Sequence, residues 1–195
     1  ETGSSDDTGR SDTGRADSGP DEDTSCGDTS EQTDTGPTQD DVIRFIVMGD
    51  TGEGNDAQHR VADGAQARCD EVGGCVGFLM LGDNIYDDGP ESANDDEFRT
   101  KIDQPYLDLK KGPPPPEGEP DMRERMPIYV SLGNHDLGGA GLESDLIDHF
   151  IDYGRNRPWF YYPSEYWEKK VGFVHLMSIH TNPLAYLGNK TEEQG

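Results

Sequence analysis

Val76-Gly77-Phe78-Leu79-Met80-Leu81-Gly82-Asp83-Asn84-Ile85-Tyr86 passes from continuous apolar residues into glycine and then a carboxylate. An uncharged apolar run of this length suits a strand buried on both faces. Two other stretches have the same form. Val42 to Met48, interrupted only by Arg44, ends in Gly49-Asp50, and Pro127 to Leu132 ends in Gly133-Asn134-His135-Asp136. Between the first two lies Asn55 to Val72, with Ala57, Val61, Ala62 and Ala65 at helical spacing and Gly73-Gly74 as a stop. Strand, helix, strand predicts a βαβ unit.

The pattern continues outward. Asp95 to Tyr106 predicts a second helix, and Lys110 to Arg125 a long surface loop, because Pro113 to Pro116 remove backbone donors. Leu142, Leu146, Ile147 and Phe150 recur at helical spacing, predicting a helix over 142–153. Trp159 to Tyr162 and Trp167 are read as core aromatics rather than a substrate platform, and Gly172 to Ile179 as a further apolar strand. The layout is α/β with a mostly buried sheet. No apolar run approaches the ~18 residues of a membrane span.

Composition adds two exclusions. The 195 residues include 41 acidic and 16 basic side chains, a net charge of −25, which repels nucleic acid and anionic bilayers. Thirteen of the acids but only two bases lie in residues 1–41, where Ala16 and Cys26 are the only apolar residues. Such a segment buries too little surface to offset ordering entropy, so residues 1–41 are expected to be an acidic, disordered, low-complexity tail. Asp-Thr/Ser-Gly recurs in it at Asp7, Asp12, Asp17 and Asp34, without the ligand density of a calcium loop, and reads as spacer. The expected domain is 42–195.

The three strand ends carry the chemistry. In open α/β sheets the ligand crevice lies beyond the carboxyl ends of the strands, and glycine lets the chain turn there so that the next side chain points inward. Asp50, Asp83 and Asn134 are therefore expected to converge. Hard oxygen donors gathered in one crevice call for a cation. Two adjacent carboxylates repel unless one is protonated or a metal charge lets both stay ionised.

At these residues the chain resembles the calcineurin-like metallophosphoesterases, and within them the small purple, or tartrate-resistant, acid phosphatases. The resemblance covers residues 45–136 and rests on Gly49-Asp50-Thr51-Gly52, Gly82-Asp83-Asn84-Ile85-Tyr86 and Gly133-Asn134-His135-Asp136, in family order. It implies a metallophosphoesterase-type β-sandwich flanked by helices, in αββα layers. It also implies two metal ions, Fe(III) held by Asp50 and Tyr86, Asp83 bridging, and a divalent ion (Fe, Zn or Mn) on Asn134. A phenolate at Tyr86 is a hard donor suited to a trivalent ion. The implied reaction is hydrolysis of a small phosphate ester by metal-bound hydroxide, with His135 as general acid or as a group orienting the phosphate. A phosphodiesterase of the same fold would use the same core.

The family's remaining ligands are three histidines, two of them in a G-H-x-H block that this sequence lacks. His175 and His180 are candidates only by default, and His59 and His149 read as solvated helix residues. The chain is accordingly expected to be the N-terminal part of such a domain, within a longer protein. Two other function classes fit parts of the pattern. Asp50-Thr51-Gly52 looks like an aspartic-peptidase corner, but the other Asp-Thr-Gly copies lie in the apolar-poor tail rather than in a matching strand setting. A non-catalytic module that binds cations, tethered by the acidic segment, needs only the half-site.

Cys69 and Cys75 stand six apart, close enough for a disulfide, which would mean an oxidising compartment, although two reduced core cysteines also fit; Cys26 is left over. The chain begins with Glu1, so any signal or lipid anchor for export to the periplasm, cell surface or exterior would lie upstream. Limited proteolysis read by mass spectrometry is expected to remove residues 1–41 first, leaving 42–195 resistant; protection of the acidic segment would contradict its reading as spacer.

Overall fold

The apolar run at 76–81 forms β2, Gly77–Leu81, in a four-stranded parallel sheet ordered β1-β2-β3-β4, with β1 at Phe45–Met48, β3 at Ile128–Ser131 and β4 at Phe160–Tyr161. This is a computed structural model, and it describes residues 42–139 and 143–184. The acidic segment, Cys26 and Leu142 lie outside the described residues. The sheet and its helices form the mixed α/β architecture expected from the sequence. Phe78, Met80, Ile128 and Val130 are completely buried at its centre.

The first crossover is α1, Asp56–Glu71. Asn55 caps it, its side chain accepting from the N–H groups of Ala57 (2.9 Å) and Gln58 (3.1 Å). The helix ends at Val72, and Gly74 N–H returns to the Cys69 carbonyl at 2.7 Å. Its buried face consists of Gln58, Ala62 and Cys69, with Ala65 packed against the core; of the expected stripe Ala62 and Ala65 face inward, whereas Ala57 and Val61 are exposed. Cys69 and Cys75 are joined, with Cα atoms 5.3 Å apart. The bridge ties the last turn of α1 to the entry of β2.

Three other expectations change. Val47 is 53% and Leu81 56% exposed, so the sheet is not covered on both faces throughout. The covering layer among the described residues is a two-stranded antiparallel hairpin, β5 (Trp167–Val171) and β6 (Val174–Ser178), which turns at Gly172. Trp167 packs this hairpin on β3 by donating from Nε1 to the Val130 carbonyl at 2.8 Å. On β6, Met177 points to solvent, as do Phe173 and Ile179 beside the strand, so the expected buried strand is a half-exposed one. The helix expected over 95–106 is a six-residue π-helical segment, Phe98–Asp103. Phe98 stacks on Tyr153 of the second helix, α2 (Asp145–Gly154), at 4.0 Å between ring centroids. The aromatic segment after α2 supplies β4, and Phe160, Tyr162 and Trp167 are buried in the core. Pro113 to Pro116 lie in a loop closed by isolated bridges, Cys75 to Gly112 and Lys110 to Arg125.

One buried carboxylate fastens the sheet's carboxyl edge. Asp136, in a single 3-10 turn (His135–Leu137), accepts from the backbone N–H of Asn84 (2.8 Å), Ile85 (2.9 Å) and Gly133 (2.8 Å), and from Asn84 Nδ2 (2.9 Å). Asn84 Nδ2 also reaches the Ser131 carbonyl at 2.8 Å. Burial pushes the Asp136 carboxyl up to about 7, while the N–H groups of Gly133, Asn84 and Ile85 favour the ionised form. The turns after β2 and β3 are thereby locked together.

Replacing Asp136 with alanine is expected to lower unfolding stability by about 3 kcal/mol or more, because several buried donors lose their acceptor. Asp136→Asn, which keeps the shape but presents N–H groups to N–H groups, is expected to recover little of it. Urea unfolding followed by circular dichroism measures both. A free-thiol count under denaturing conditions should find neither Cys69 nor Cys75 reactive, and the Cys69→Ser/Cys75→Ser variant should lose about 2 kcal/mol, the loop-entropy value for so short a ring.

Candidate metal centre

The ends of β1 and β2 are knitted by backbone bonds before any side chain is considered. Asp50 N–H donates to the Gly82 carbonyl (3.0 Å), Gly52 N–H to the Asp83 carbonyl (3.1 Å), and Tyr86 N–H to the Gly52 carbonyl (3.0 Å). Asp50 and Asp83 both adopt left-handed backbone conformations, with φ of 55° and 53°. Aspartate tolerates this region better than bulkier residues do. The sharp turn expected of glycine is thus made by the aspartate itself at the first corner and by aspartate together with Gly82 at the second.

At the third corner glycine is needed for space. A Cβ on Gly133 would collide with the Asp83 carboxylate, and one on Gly52 with the Asn84 backbone. Gly52 closes the Gly-Asp-Thr-Gly block, and its missing Cβ is what lets the first corner pass the turn after β2.

The side chains then meet. Tyr86 shares its hydroxyl proton between Asp50 Oδ1 and Asp83 Oδ2, each 3.1 Å away. Asp83 Oδ1 accepts from the His135 backbone N–H at 3.2 Å. Desolvation together with the two carboxylates, by hydrogen bond and by charge, holds the Tyr86 phenol well above its ordinary range. Two carboxylates and a phenol therefore share one proton, and a cation among them would replace that proton and offset the like charges. The donor set fits a hard cation.

Asn134 and His135 lie on the adjoining turn. Asn134 commits its amide nitrogen to the Gly139 carbonyl at 2.7 Å, which leaves the amide oxygen as its donor atom for a ligand. His135 Nδ1 is 2.7 Å from the Asp87 carbonyl, and its ring lies 4.6 Å from that of Tyr86. A carbonyl only accepts, so Nδ1 carries the proton and Nε2 is the atom left for other chemistry.

Among the described residues, no group of three or more His, Cys, Asp or Glu side chains is placed to hold an ion. The two default histidines are engaged elsewhere: His175 Nε2 lies 3.2 Å from Glu168, and His180 Nδ1 2.8 Å from Glu165. His149, read as solvated, is half-buried and its Nδ1 lies 3.0 Å from the Pro90 carbonyl. His59 on α1 is half-buried too.

Two supporting residues went unread. Lys101 binds the Tyr86 carbonyl and Glu97, and so secures the loop that carries Tyr86. Gln58, buried under that loop, donates to the Lys101 carbonyl (2.7 Å) and the Tyr106 hydroxyl (3.0 Å) and accepts from Gly54 N–H (2.6 Å). Its signal was a polar side chain one turn before Ala62 on the buried face of α1. Beside the loop opens a cleft of about 780 Å³ lined by carboxylates, among them Asp87, Asp88, Glu91 and Glu143.

No curated protein matches the chain. A solved structure described as GAP50, the anchor in the inner membrane complex of Plasmodium, is similar at 19% identity and a TM-score of 0.44, over 69% of this chain and 39% of that one. This chain therefore spans about two fifths of the length of that structure. The model of the calcineurin-like phosphoesterases matches residues 43–193, which include all three strand-end corners, and the chain belongs to that family.

Proposed function

We propose that this chain contributes the Asp50, Asp83, Tyr86 and Asn134 half of a dinuclear centre to a metal-dependent phosphoric-ester hydrolase of the purple acid phosphatase kind. The observation that carries the reading is the tyrosine: Tyr86 places its phenol oxygen 3.1 Å from both carboxylates, as a ligand beside them would lie. In this assignment Asp50, Tyr86 and Asp83 would hold Fe(III), and Asp83 together with the Asn134 amide oxygen would hold a second, divalent ion. The ions, when bound, supply an activated water and neutralise charge on the phosphoryl oxygens.

The chain's own residues perform the remaining tasks. Asp83 is oriented by the His135 backbone N–H, and Gly133 leaves room for its carboxylate. His135, steered by the Asp87 carbonyl and the Tyr86 ring, offers Nε2 toward the leaving group, where in its protonated form it gives a proton to the departing alkoxide. The products are inorganic phosphate and an alcohol. Residues 1–41 serve in this proposal as an acidic spacer to the domain at 42–195. The Cys69–Cys75 disulfide supports placement in an oxidising, exported compartment.

A cation-binding module without turnover is the second reading, favoured by the absence, among the described residues, of a third His or acid in the group. Assay of p-nitrophenyl phosphate after loading with iron and either zinc or manganese separates the two. Phosphate release is expected, abolished by chelation and lowered by at least about a hundredfold in Asp83→Ala, a larger loss than outer-shell changes usually cause. Tyr86→Phe is expected to bleach a visible absorption band of the iron-loaded protein. Metal uptake with no phosphate release would instead establish the binding module.

A further inference from the structure

A closed circuit of hydrogen bonds surrounds the loop that carries Tyr86. Both backbone polar groups of Tyr86 are tied: its N–H donates to the Gly52 carbonyl at 3.0 Å, and its carbonyl accepts from Lys101 Nζ. The Lys101 carbonyl accepts from Gln58 Nε2 at 2.7 Å, and Gln58 Oε1 accepts from Gly54 N–H at 2.6 Å. Gly54 stands two residues beyond Gly52, so the circuit runs from Tyr86 through Lys101, Gln58 and Gly54 back to the corner that begins at Asp50.

Each member is also fixed from outside the circuit. Gln58 is 7% exposed, lies in the first turn of α1 with its N–H on the Asn55 cap, and donates to the hydroxyl of Tyr106, a buried ring packed edge-on against Phe78 of β2. Lys101, its side chain 14% exposed, shares its ammonium with Glu97 at 2.7 Å. Its stem passes Gly54, where a Cβ would come within 3.0 Å of Lys101 Cγ. A glutamine on the buried face of a helix costs free energy unless its polar atoms are matched, and an apolar side chain would fill that face without the cost. Here both ends of the amide are spent on segments that flank the candidate centre.

The three oxygens that meet at the centre differ in how their positions are secured. Asp50 and Asp83 stand two residues past the ends of β1 and β2, whereas Tyr86 stands five residues past β2 and carries its oxygen at the far end of a ring. A small tilt of its backbone therefore displaces the phenol oxygen by more than it displaces a carboxylate. Asp136 binds the N–H groups of Asn84 and Ile85, and the circuit takes over at Tyr86. Resting on the hydrolase reading above, we propose that Gln58 and Lys101 are positioning residues that hold the Tyr86 phenol oxygen and Asp50 at the separation one trivalent ion requires, while touching neither ion nor substrate. Outer partners of this kind orient the groups that bind a metal and tune its affinity.

Visible absorption of the full chain loaded with Fe(III), together with iron affinity measured by competition with a chelator, tests this. In Lys101→Met and in Gln58→Leu the phenolate-to-iron band is expected to move its maximum, and iron affinity to fall about tenfold or more. Lys101→Arg, which keeps a cationic donor, is expected to recover part of both. A packing defect alone would lower stability and leave the band maximum in place. If circular dichroism shows that one variant has lost its fold, the other decides. An unmoved band and unchanged iron affinity in the folded variants overturn the assignment, as does an iron-loaded wild-type chain without the band, which removes Tyr86 as a ligand as well. The two readings fail separately: wild-type hydrolysis of p-nitrophenyl phosphate with an unmoved band in the variants removes only the positioning role, whereas a band that the variants shift, in a chain that hydrolyses nothing, keeps that role and removes the hydrolase.

Discussion

The Asp136 carboxylate is the constraint on which the rest of the candidate centre depends. Its oxygens collect N–H groups from the turn after β2 and from the turn after β3, so two corners that share no covalent neighbour are held at fixed separation. Asp83 can then meet both Tyr86 and the His135 backbone, because the segments carrying them emerge from the same knot. Asp50 joins from β1 through the Gly82 carbonyl. Burying a charge to achieve this is costly, and the N–H groups around it offset much of that cost. A buried ion retained for geometry rather than for stability is consistent with that balance.

The same economy of design runs through the corners. Asp50 and Asp83 accept left-handed backbones, a form of local strain that collects at functional sites when surrounding structure enforces it. The enforcement here is the set of backbone bonds between the first two corners and the missing Cβ atoms of Gly52 and Gly133. Lys101 and Gln58 extend it outward, one fixing the Tyr86 loop and the other fixing the Lys101 backbone against α1. Side chains that would carry the chemistry thus stand on a frame whose parts mostly touch no ligand.

Much of this frame was legible because its signals are local. The runs at 42–48, 76–81 and 127–132 locate three strands within a few residues of their observed ends, and Asn55 and Gly73-Gly74 bracket α1. The strand ends alone pointed to Asp50, Asp83 and Asn134, and Tyr86, which meets both carboxylates, entered through the resemblance. What escaped depends on long-range packing. β4 is two residues long and exists because Ile128 and Tyr129 offer Phe160 and Tyr161 a partner edge. The exposure of Val47 and Leu81 on the sheet, and of Met177 on the hairpin, depends on what packs over each strand, which no pattern within the strand encodes. Asp136 was quoted within its motif and given no task, since hydrogen bonds spanning some fifty residues leave no periodic trace.

The histidines show the same division from the other side. His135 was found because it follows a strand-end asparagine, a relation within the chain, and its tautomer is set by a carbonyl that sequence does not point to. His175 and His180 look equivalent in sequence, five residues apart beside one strand. Folding separates them: His175 pairs with Glu168 across the hairpin while largely exposed, whereas His180 is carried past the end of β6 into a buried setting with one nitrogen committed to Glu165. The difference arises from the Ser178–Ser131 contact, which brings the end of β6 alongside the end of β3. Topology rather than residue type thus decides that one of them is exposed on the hairpin and the other is enclosed beyond its end.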